Sequence, residues 1–157
     1  MIQVGDSIPE VTVQTMGEKG PENVSSTALF ADQKIVLFAV PGAFTPTCSA
    51  AHLPGYVVKA DEILAKGVDR IICMAVNDAF VMDAWGKASN ADQILMVADG
   101  NGEFATALGL EADFHNFHMG LRSKRFAMVV ENGVVKTLAV DEKGLEKTAA
   151  EAILATL

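Results

Sequence analysis

The chain has 157 residues, of which 50% are hydrophobic and 20% are charged, a composition typical of a folded globular protein rather than a disordered segment. This length predicts one domain over residues 1–157. The formal net charge of −8 argues against binding to nucleic acid or anionic lipid, because both need a surface rich in Lys and Arg.

Short strands and turns are expected over residues 1–33, where Gly17 and the Gly20-Pro21 pair interrupt the chain. Three short apolar runs follow, at residues 35–40, 70–76 and 94–98. Continuous apolar runs of this length are typical of strands that are buried on both faces of a sheet.

Two amphipathic helices are predicted between these runs, because apolar residues recur there at spacings of three and four. The apolar positions of the first helix are Leu53, Tyr56, Val57, Ala60, Ile63 and Leu64, and those of the second are Phe80, Val81, Ala84, Trp85 and Ala88. We expect Gly67 to end the first helix and Pro54 to kink it. Asp78 is a suitable cap for the second helix.

Residues 99–124 are predicted to be rich in loops. Asn132-Gly133 lies between apolar runs at residues 126–131 and 134–140, which is a strong signal for a β-hairpin. A final helix is predicted from the apolar stripe of Leu145, Ala149, Ile153 and Leu157. This order predicts an α/β protein with a thioredoxin-like fold, in which a central mixed sheet has helices on both faces.

The stretch Pro41-Gly-Ala-Phe-Thr-Pro-Thr-Cys48 connects the first buried strand to the first helix. Cys48 therefore falls in the first helical turn, where unpaired backbone N–H groups and the helix dipole favour an anion. Because the thiolate is the reactive form of cysteine, this position suits a nucleophilic sulfur better than a buried structural one. Thr45 can hydrogen-bond a sulfur and a substrate oxygen, and it can also cap the helix ahead of Pro46.

A helix N-terminus alone is too weak to ionise such a thiol. An ordinary thiol is about 3% thiolate at pH 7, and bringing its pKa to about 6 needs roughly 3.4 kcal/mol. A helix N-terminus supplies about 0.3–1 kcal/mol, whereas one cation at ~4 Å supplies up to about 4 kcal/mol at an effective dielectric near 20. We therefore expect an arginine from elsewhere in the chain to lie beside the sulfur.

The pattern Pro41-x-x-x-Thr45-x-x-Cys48 resembles the active-site motif of the peroxiredoxins. Four longer strings are similar to the peroxiredoxin 5 and plant type II branch: Val40-Pro-Gly-Ala-Phe-Thr-Pro-Thr-Cys48, His52-Leu-Pro-Gly55, Val76-Asn-Asp-Ala-Phe80 and Arg122-Ser-Lys-Arg-Phe-Ala-Met-Val-Val130. The resemblance implies that Cys48 is the peroxidatic cysteine and that Thr45 bonds the peroxide and the thiolate. It also implies that Pro41 shields the sulfur and that Arg125 holds both the sulfur and the peroxide oxygen.

Cys73 and His52 keep alternative roles. Cys73 lies in an apolar run, which favours a structural cysteine, although some plant type II relatives carry a second cysteine at this spacing. The C-terminal third has no cysteine, whereas animal peroxiredoxin 5 carries its resolving cysteine there, so an internal disulfide cycle lacks support. His52 follows Cys48 by four residues on the same helix face, and it either tunes the site or is a structural histidine.

Other residues near these motifs have ordinary explanations. Arg122 and Lys124 are expected to form a solvated basic cluster. Trp85 is expected to pack in the core or at a dimer contact. Three residues of the loop-rich segment are candidates to line an apolar approach to the sulfur, namely Phe114, Phe117 and Met119.

The resemblance implies a peroxidase that reduces hydrogen peroxide and organic hydroperoxides through a cysteine sulfenic acid. It implies a homodimer that needs no metal, flavin or haem, and recycling by glutathione with glutaredoxin or by thioredoxin. Because no secretion signal or membrane segment is evident, the two cysteines are expected to stay reduced in the cytoplasm. The rival functions are a thiol-disulfide oxidoreductase, which Thr45 in place of a second active-site cysteine disfavours, and a redox sensor or holdase.

Overall fold

The computed structural model describes residues 1–157 and contains nine strands. The strands are β1 (Thr12–Gly17), β2 (Gly20–Ser25), β3 (Lys34–Val40), β4 (Arg70–Ala75), β5 (Ile94–Ala98), β6 (Glu111–Phe114), β7 (Gly120–Ser123), β8 (Arg125–Glu131) and β9 (Val134–Asp141). Seven of them form a mixed sheet in the order β2-β1-β5-β4-β3-β8-β9, and β6 pairs with β7 in a separate two-stranded sheet. Strands β3, β4 and β5 are parallel to each other, whereas β8 runs antiparallel to β3.

Five α-helices cover this sheet. They are α1 (Ser26–Phe30), α2 (Leu53–Leu64), α3 (Ala79–Ala88), α4 (Glu103–Leu108) and α5 (Ala150–Leu154). Helices α2, α3 and α5 contribute to a core of 22 buried residues, and α1 and α4 contribute to a second core of 18. The predicted thioredoxin-like arrangement, with helices on both faces of a mixed sheet, is therefore confirmed.

The long apolar patterns gave the central elements closely. β5 has the predicted bounds, β3 begins one residue earlier and β4 ends one residue earlier. Asp78 caps α3, because its Oδ1 accepts a hydrogen bond from the backbone N–H of Val81 at 2.8 Å. The hairpin between β8 and β9 turns at Asn132 and Gly133, which have φ angles of 47° and 77°.

Three predictions made from weaker patterns are wrong or only partly correct. Residues 99–124 are not mainly loop, since they contain α4, β6, a 3-10 turn (His115–Phe117) and β7. The carboxylate of Asp99 accepts the N–H groups of Phe104 and Ala105, and it thereby stabilises the start of α4. Helix α1 also interrupts the strands and turns expected over residues 1–33, and Ser25 caps it.

The third difference concerns the C-terminal helix, which begins only at Ala150 and does not reach back to Leu145. The carboxylate of Asp141 accepts the backbone N–H groups of Glu146, Lys147 and Thr148, and this local ring of hydrogen bonds replaces the first helical turns. No helix of the structure is both long and apolar enough to cross a bilayer.

Candidate active site

The site lies where β3 ends and the chain enters the helix that leads to α2. Helical structure begins at Pro46, and Cys48 is the first residue of a π-helical turn, Cys48–His52, that precedes α2. Pro54 lies in the first turn of α2, where proline is tolerated, so it does not kink the helix as expected. The irregular part of the helical segment is the π-helical turn that precedes Pro54. Cys48 is only 1% exposed.

Arg125 reaches this sulfur from the start of β8. Because β8 runs antiparallel to β3, with Phe126 opposite Ala39, its first residue lies beside the end of β3. Arg125 Nη2 donates a hydrogen bond to Cys48 Sγ at 3.2 Å, and the side chain is buried. None of the four salt bridges in the structure includes Arg125. Its charge is therefore not neutralised by a carboxylate and can stabilise a thiolate.

His52 is the second partner of this guanidinium. Arg125 Nη1 donates to His52 Nδ1 at 2.6 Å, and His52 Nε2 donates to the backbone carbonyl of Thr148 at 3.1 Å. Burial, together with the charge of Arg125, lowers the pKa of His52 from its usual 6.5 to about 4. The imidazole is consequently neutral at pH 7, and Nδ1 is free to accept.

Thr45 and Pro41 belong to the loop that carries Cys48 toward β3. The Thr45 hydroxyl donates to the carbonyl of Gly42 at 2.7 Å, and the carbonyl of Thr45 accepts the N–H of Ser49 at 2.9 Å. No backbone N–H donates to the Thr45 hydroxyl, so Thr45 does not cap the helix with its side chain. Pro41 is half-buried.

Two residues that hold this loop were missed as site residues. Arg122 is half-buried rather than solvated, because its Nε donates to the carbonyl of Met119 at 2.9 Å and its Nη1 to the carbonyl of Pro41 at 3.3 Å. Asn77 Oδ1 accepts the N–H of Ala43 at 2.9 Å. Both residues stand in the strings that carry the family resemblance, which was the only available signal.

The remaining members of the predicted basic and apolar groups lie apart or at the edge of the site. Lys124 is half-buried, and its Nζ pairs with Glu142 at 3.3 Å. Met119 packs against Gly42, since a Cβ built on that glycine would lie 3.4 Å from the methionine methyl group. Phe117 is 72% exposed.

Trp85 packs in the core and also contacts the helix that carries Cys48. It is 1% exposed, and its Nε1 donates to Ser49 Oγ at 2.9 Å. The ring of Phe44 lies with its centroid 6.5 Å from that of Trp85.

Cys73 lies in the sheet, in the same buried core as Cys48, but without a cationic partner. It lies in the middle of β4, fully buried, opposite Phe38 of β3 and Met96 of β5. Burial, with a smaller contribution from the charge of Cys48, raises the pKa of the Cys73 thiol well above its usual range. Both cysteines are free, and the chain contains no cluster of three or more His, Cys, Asp or Glu side chains suited to a metal.

Comparison with known proteins gives a consistent set of relatives. The Redoxin family model matches residues 3–154. Peroxiredoxin-2D of Arabidopsis thaliana is 47% identical over 153 residues, which cover 96% of this chain and 94% of that protein. Chloroplastic Peroxiredoxin-2E of the same plant is also 47% identical, and there the match covers 91% of this chain and 63% of the relative.

Solved structures agree in fold. Reduced Prx3 from Vibrio vulnificus in complex with H2O2 superposes with a TM-score of 0.97 at 55% identity, covering 99% of each chain. A 1-Cys peroxiredoxin, the antioxidant protein of Plasmodium falciparum, superposes with a TM-score of 0.90 at 29% identity, covering 97% of this chain and 96% of that one.

Proposed function

This chain belongs to the peroxiredoxin family and is a thiol peroxidase, and we propose that Cys48 is the residue that attacks the peroxide. The observation that carries the proposal is the hydrogen bond from Arg125 Nη2 to Cys48 Sγ at 3.2 Å, made at the start of a helix. The cation and the helix N-terminus both favour the thiolate. Cys73 has neither partner and lies inside a sheet.

In the proposed reaction the thiolate attacks the terminal oxygen of a hydroperoxide, so that an S–O bond forms as the O–O bond breaks. Cys48 becomes a sulfenic acid, and the leaving oxygen takes up a proton and departs as water or an alcohol. Arg125 and the backbone N–H of Cys48 stabilise the charge that moves onto oxygen. The Thr45 hydroxyl joins them when it turns from the carbonyl of Gly42 to the substrate. Pro41 shields the sulfur from other reactants.

Regeneration requires a thiol from outside the chain in this proposal. Peroxiredoxins rely on thiol reductants and use no cofactor. The position of Cys73 in the middle of β4, between β3 and β5, supports a one-cysteine cycle. In this cycle glutathione attacks the sulfenic acid, releases water and leaves a mixed disulfide on Cys48. The thiol of glutaredoxin then takes over the glutathionyl group in a second exchange, which frees the Cys48 thiolate. Another glutathione restores glutaredoxin and leaves as oxidised glutathione; thioredoxin is the alternative reductant.

We also propose that the protein is a homodimer and that it acts in a reducing compartment. Several large apolar side chains around the site loop are exposed, which supports a homodimer. Two free cysteines support a reducing compartment such as the cytoplasm, and the relatives include chloroplastic forms.

Replacement of each cysteine tests the assignment of the nucleophile. Cys48→Ser is expected to abolish consumption of hydrogen peroxide in the presence of glutathione and glutaredoxin, while Cys73→Ser is the matched control and keeps most of the activity. Circular dichroism checks that both variants fold. Turnover by the Cys48→Ser variant at the rate of the unchanged protein would show that the nucleophile lies elsewhere.

A further inference from the structure

A second group of buried polar side chains lies behind the site, at the end of β9. Asp141, the last residue of β9, is 7% exposed. Its carboxylate accepts the N–H groups of Glu146 at 3.0 Å, Lys147 at 3.0 Å and Thr148 at 2.9 Å, and also the Thr148 hydroxyl at 2.7 Å. We call this closed ring over residues 141–148 the Asp141 clasp.

The clasp fixes one backbone carbonyl in the interior. The carbonyl of Thr148 accepts two hydrogen bonds, from His52 Nε2 at 3.1 Å and from the Tyr56 hydroxyl at 2.7 Å. Thr148 and Tyr56 are fully buried and His52 is nearly so, which leaves little access for water to replace a lost partner. The orientation of the imidazole therefore depends on where the clasp holds this carbonyl.

His52 transmits this orientation to the arginine. Because Nε2 donates to Thr148, Nδ1 presents its lone pair to Arg125 Nη1. Arg125 makes only two side-chain hydrogen bonds, one to His52 and one to Cys48. With no carboxylate partner, the guanidinium is held in the direction of the sulfur by the histidine.

The hydrogen bonds of the clasp also use the carboxylate oxygens of Asp141, the residue opposite Arg125 in the sheet. Asp141 is directly opposite Arg125 in the β8–β9 ladder, yet the two side chains form no salt bridge. Desolvation opposes ionisation of Asp141, but the hydrogen bonds of the clasp outweigh it and hold the pKa of Asp141 at about 2. A direct ion pair with Arg125 would instead compete with the thiolate for the same guanidinium.

We propose that Asp141 and Thr148 are positioning residues, which act through neutral His52 to hold the Arg125 guanidinium on Cys48 and away from a carboxylate. This inference rests on the proposed roles of Cys48 and Arg125. It adds a second part to the site, contributed by a segment nearly 100 residues further along the chain.

The test compares Asp141→Asn with Asp99→Asn as a matched control. Asp99 is also a buried carboxylate that accepts backbone N–H groups, here two at the start of α4, but it makes no contact with the chain of hydrogen bonds to Cys48. We expect both variants to unfold at lower urea concentrations. Only Asp141→Asn should also slow the reaction of the reduced protein with hydrogen peroxide, by roughly tenfold, the loss typical of a disturbed hydrogen bond to a charged group.

Two readouts separate positioning from simple stability. Stopped-flow rates are measured at a temperature where every variant is folded, and absorbance at 240 nm gives the thiolate fraction at pH 7. Because burial raises the pKa of Cys73, this absorbance reports Cys48. An Asp141→Asn variant with lower stability but an unchanged rate and thiolate fraction would overturn the proposal.

A double-mutant cycle tests the route through His52. His52→Leu removes the acceptor for Arg125, and in that background Asp141→Asn should slow the reaction no further. Fully additive losses would overturn the route. If Asp141→Asn does not fold, Thr148→Val removes only one of the four hydrogen bonds and should give a smaller loss of rate. An unchanged rate in Arg125→Ala would instead contradict the proposed site itself, whatever the clasp does.

Discussion

At the scale of single residues, the electrostatics of the site depend on Arg125 having no acidic partner. A buried arginine is usually paired with a carboxylate, because removing an unpaired charge from water is costly. Here the guanidinium bonds a neutral imidazole and a sulfur. In the proposed reaction the Arg125 guanidinium is therefore the group that faces negative charge on the Cys48 sulfur, and no carboxylate competes for it.

Replacement of the arginine should consequently affect chemistry as well as stability. We predict that Arg125→Ala lowers the thiolate fraction at pH 7 and slows attack on hydrogen peroxide by roughly 10- to 100-fold, which corresponds to about 1.4–2.7 kcal/mol. Lys124→Ala is the matched control, because Lys124 is adjacent in sequence but pairs with Glu142 rather than with Cys48. Equal rates in the Arg125→Ala and Lys124→Ala variants would show that another residue supplies the cation beside the sulfur.

Protonation of His52 gives a prediction about pH. The pKa of His52 is about 4 in the folded chain and 6.5 in the unfolded chain, so the unfolded chain binds the proton first as the pH falls. Neutral His52 therefore contributes fully to the free energy of unfolding above pH 6.5. This contribution, about 3 kcal/mol in total, is lost progressively as the pH falls to 4. Urea unfolding at pH 7.0, 5.5 and 4.5 measures this loss, and His52→Gln should flatten the dependence. A pH dependence that is the same in His52→Gln would contradict the assignment.

Part of this site follows from local sequence and part does not. The positions of Thr45 and Cys48 at a strand-to-helix junction follow from an apolar run and a short motif. The identity of the arginine required the family resemblance, because three basic residues lie between positions 122 and 125. The bond from His52 to the carbonyl of Thr148 spans 96 residues and involves a backbone group, which leaves no mark in residue type.

At the scale of helices and strands, the predictions were correct where the apolar pattern of the sequence was continuous. β3, β4 and β5 are almost continuously apolar runs in the middle of the sheet, so hydrophobicity alone locates them. The elements that were missed are short and mix polar with apolar residues, as in α1, β6 and β7, so no continuous apolar run marks them. They are fixed by tertiary contacts and side-chain caps, such as Asp99 at α4, rather than by periodicity.

The rigidity of β4 leads to a prediction about recycling. Cys73 is paired on both sides, with β3 and β5, and a disulfide with Cys48 would have to satisfy a narrow range of Cα and Cβ positions. We predict that peroxide-treated protein with glutathione accumulates an adduct on Cys48, visible by mass spectrometry, and that Cys73→Ser forms it equally well. A dominant Cys48–Cys73 disulfide, together with loss of turnover in Cys73→Ser, would show that the one-cysteine cycle is wrong.

At the scale of the whole molecule, the central strands connect the two cores. Neighbouring residues of β3, such as Val36 and Leu37, belong to different cores on opposite faces of the sheet. We therefore propose that residues 1–157 form one cooperative domain, because disruption of either core exposes the same strands.

Exposed apolar residues around the site loop lead to the last prediction. Phe44 follows Ala43, whose N–H bonds Asn77 just before α3, and Phe80 lies at the start of that helix. Phe44 is 56% exposed and Phe80 is 65% exposed. Exposed aromatic side chains are typical of an interface, and the burial of about 800 Å² on each partner would be sufficient for a stable dimer.

We predict that the reduced protein sediments as a dimer at tens of micromolar, on the order of the affinity of a modest interface, and that Phe80→Glu shifts it to a monomer. A buried carboxylate without a partner would oppose association. Val58→Glu is the matched control, because Val58 is 77% exposed but lies on α2, beside α5 and away from the site loop. If Val58→Glu dissociates the dimer and Phe80→Glu does not, the interface lies on the α2 and α5 face, and the aromatic residues beside the site are free to meet the reductant instead.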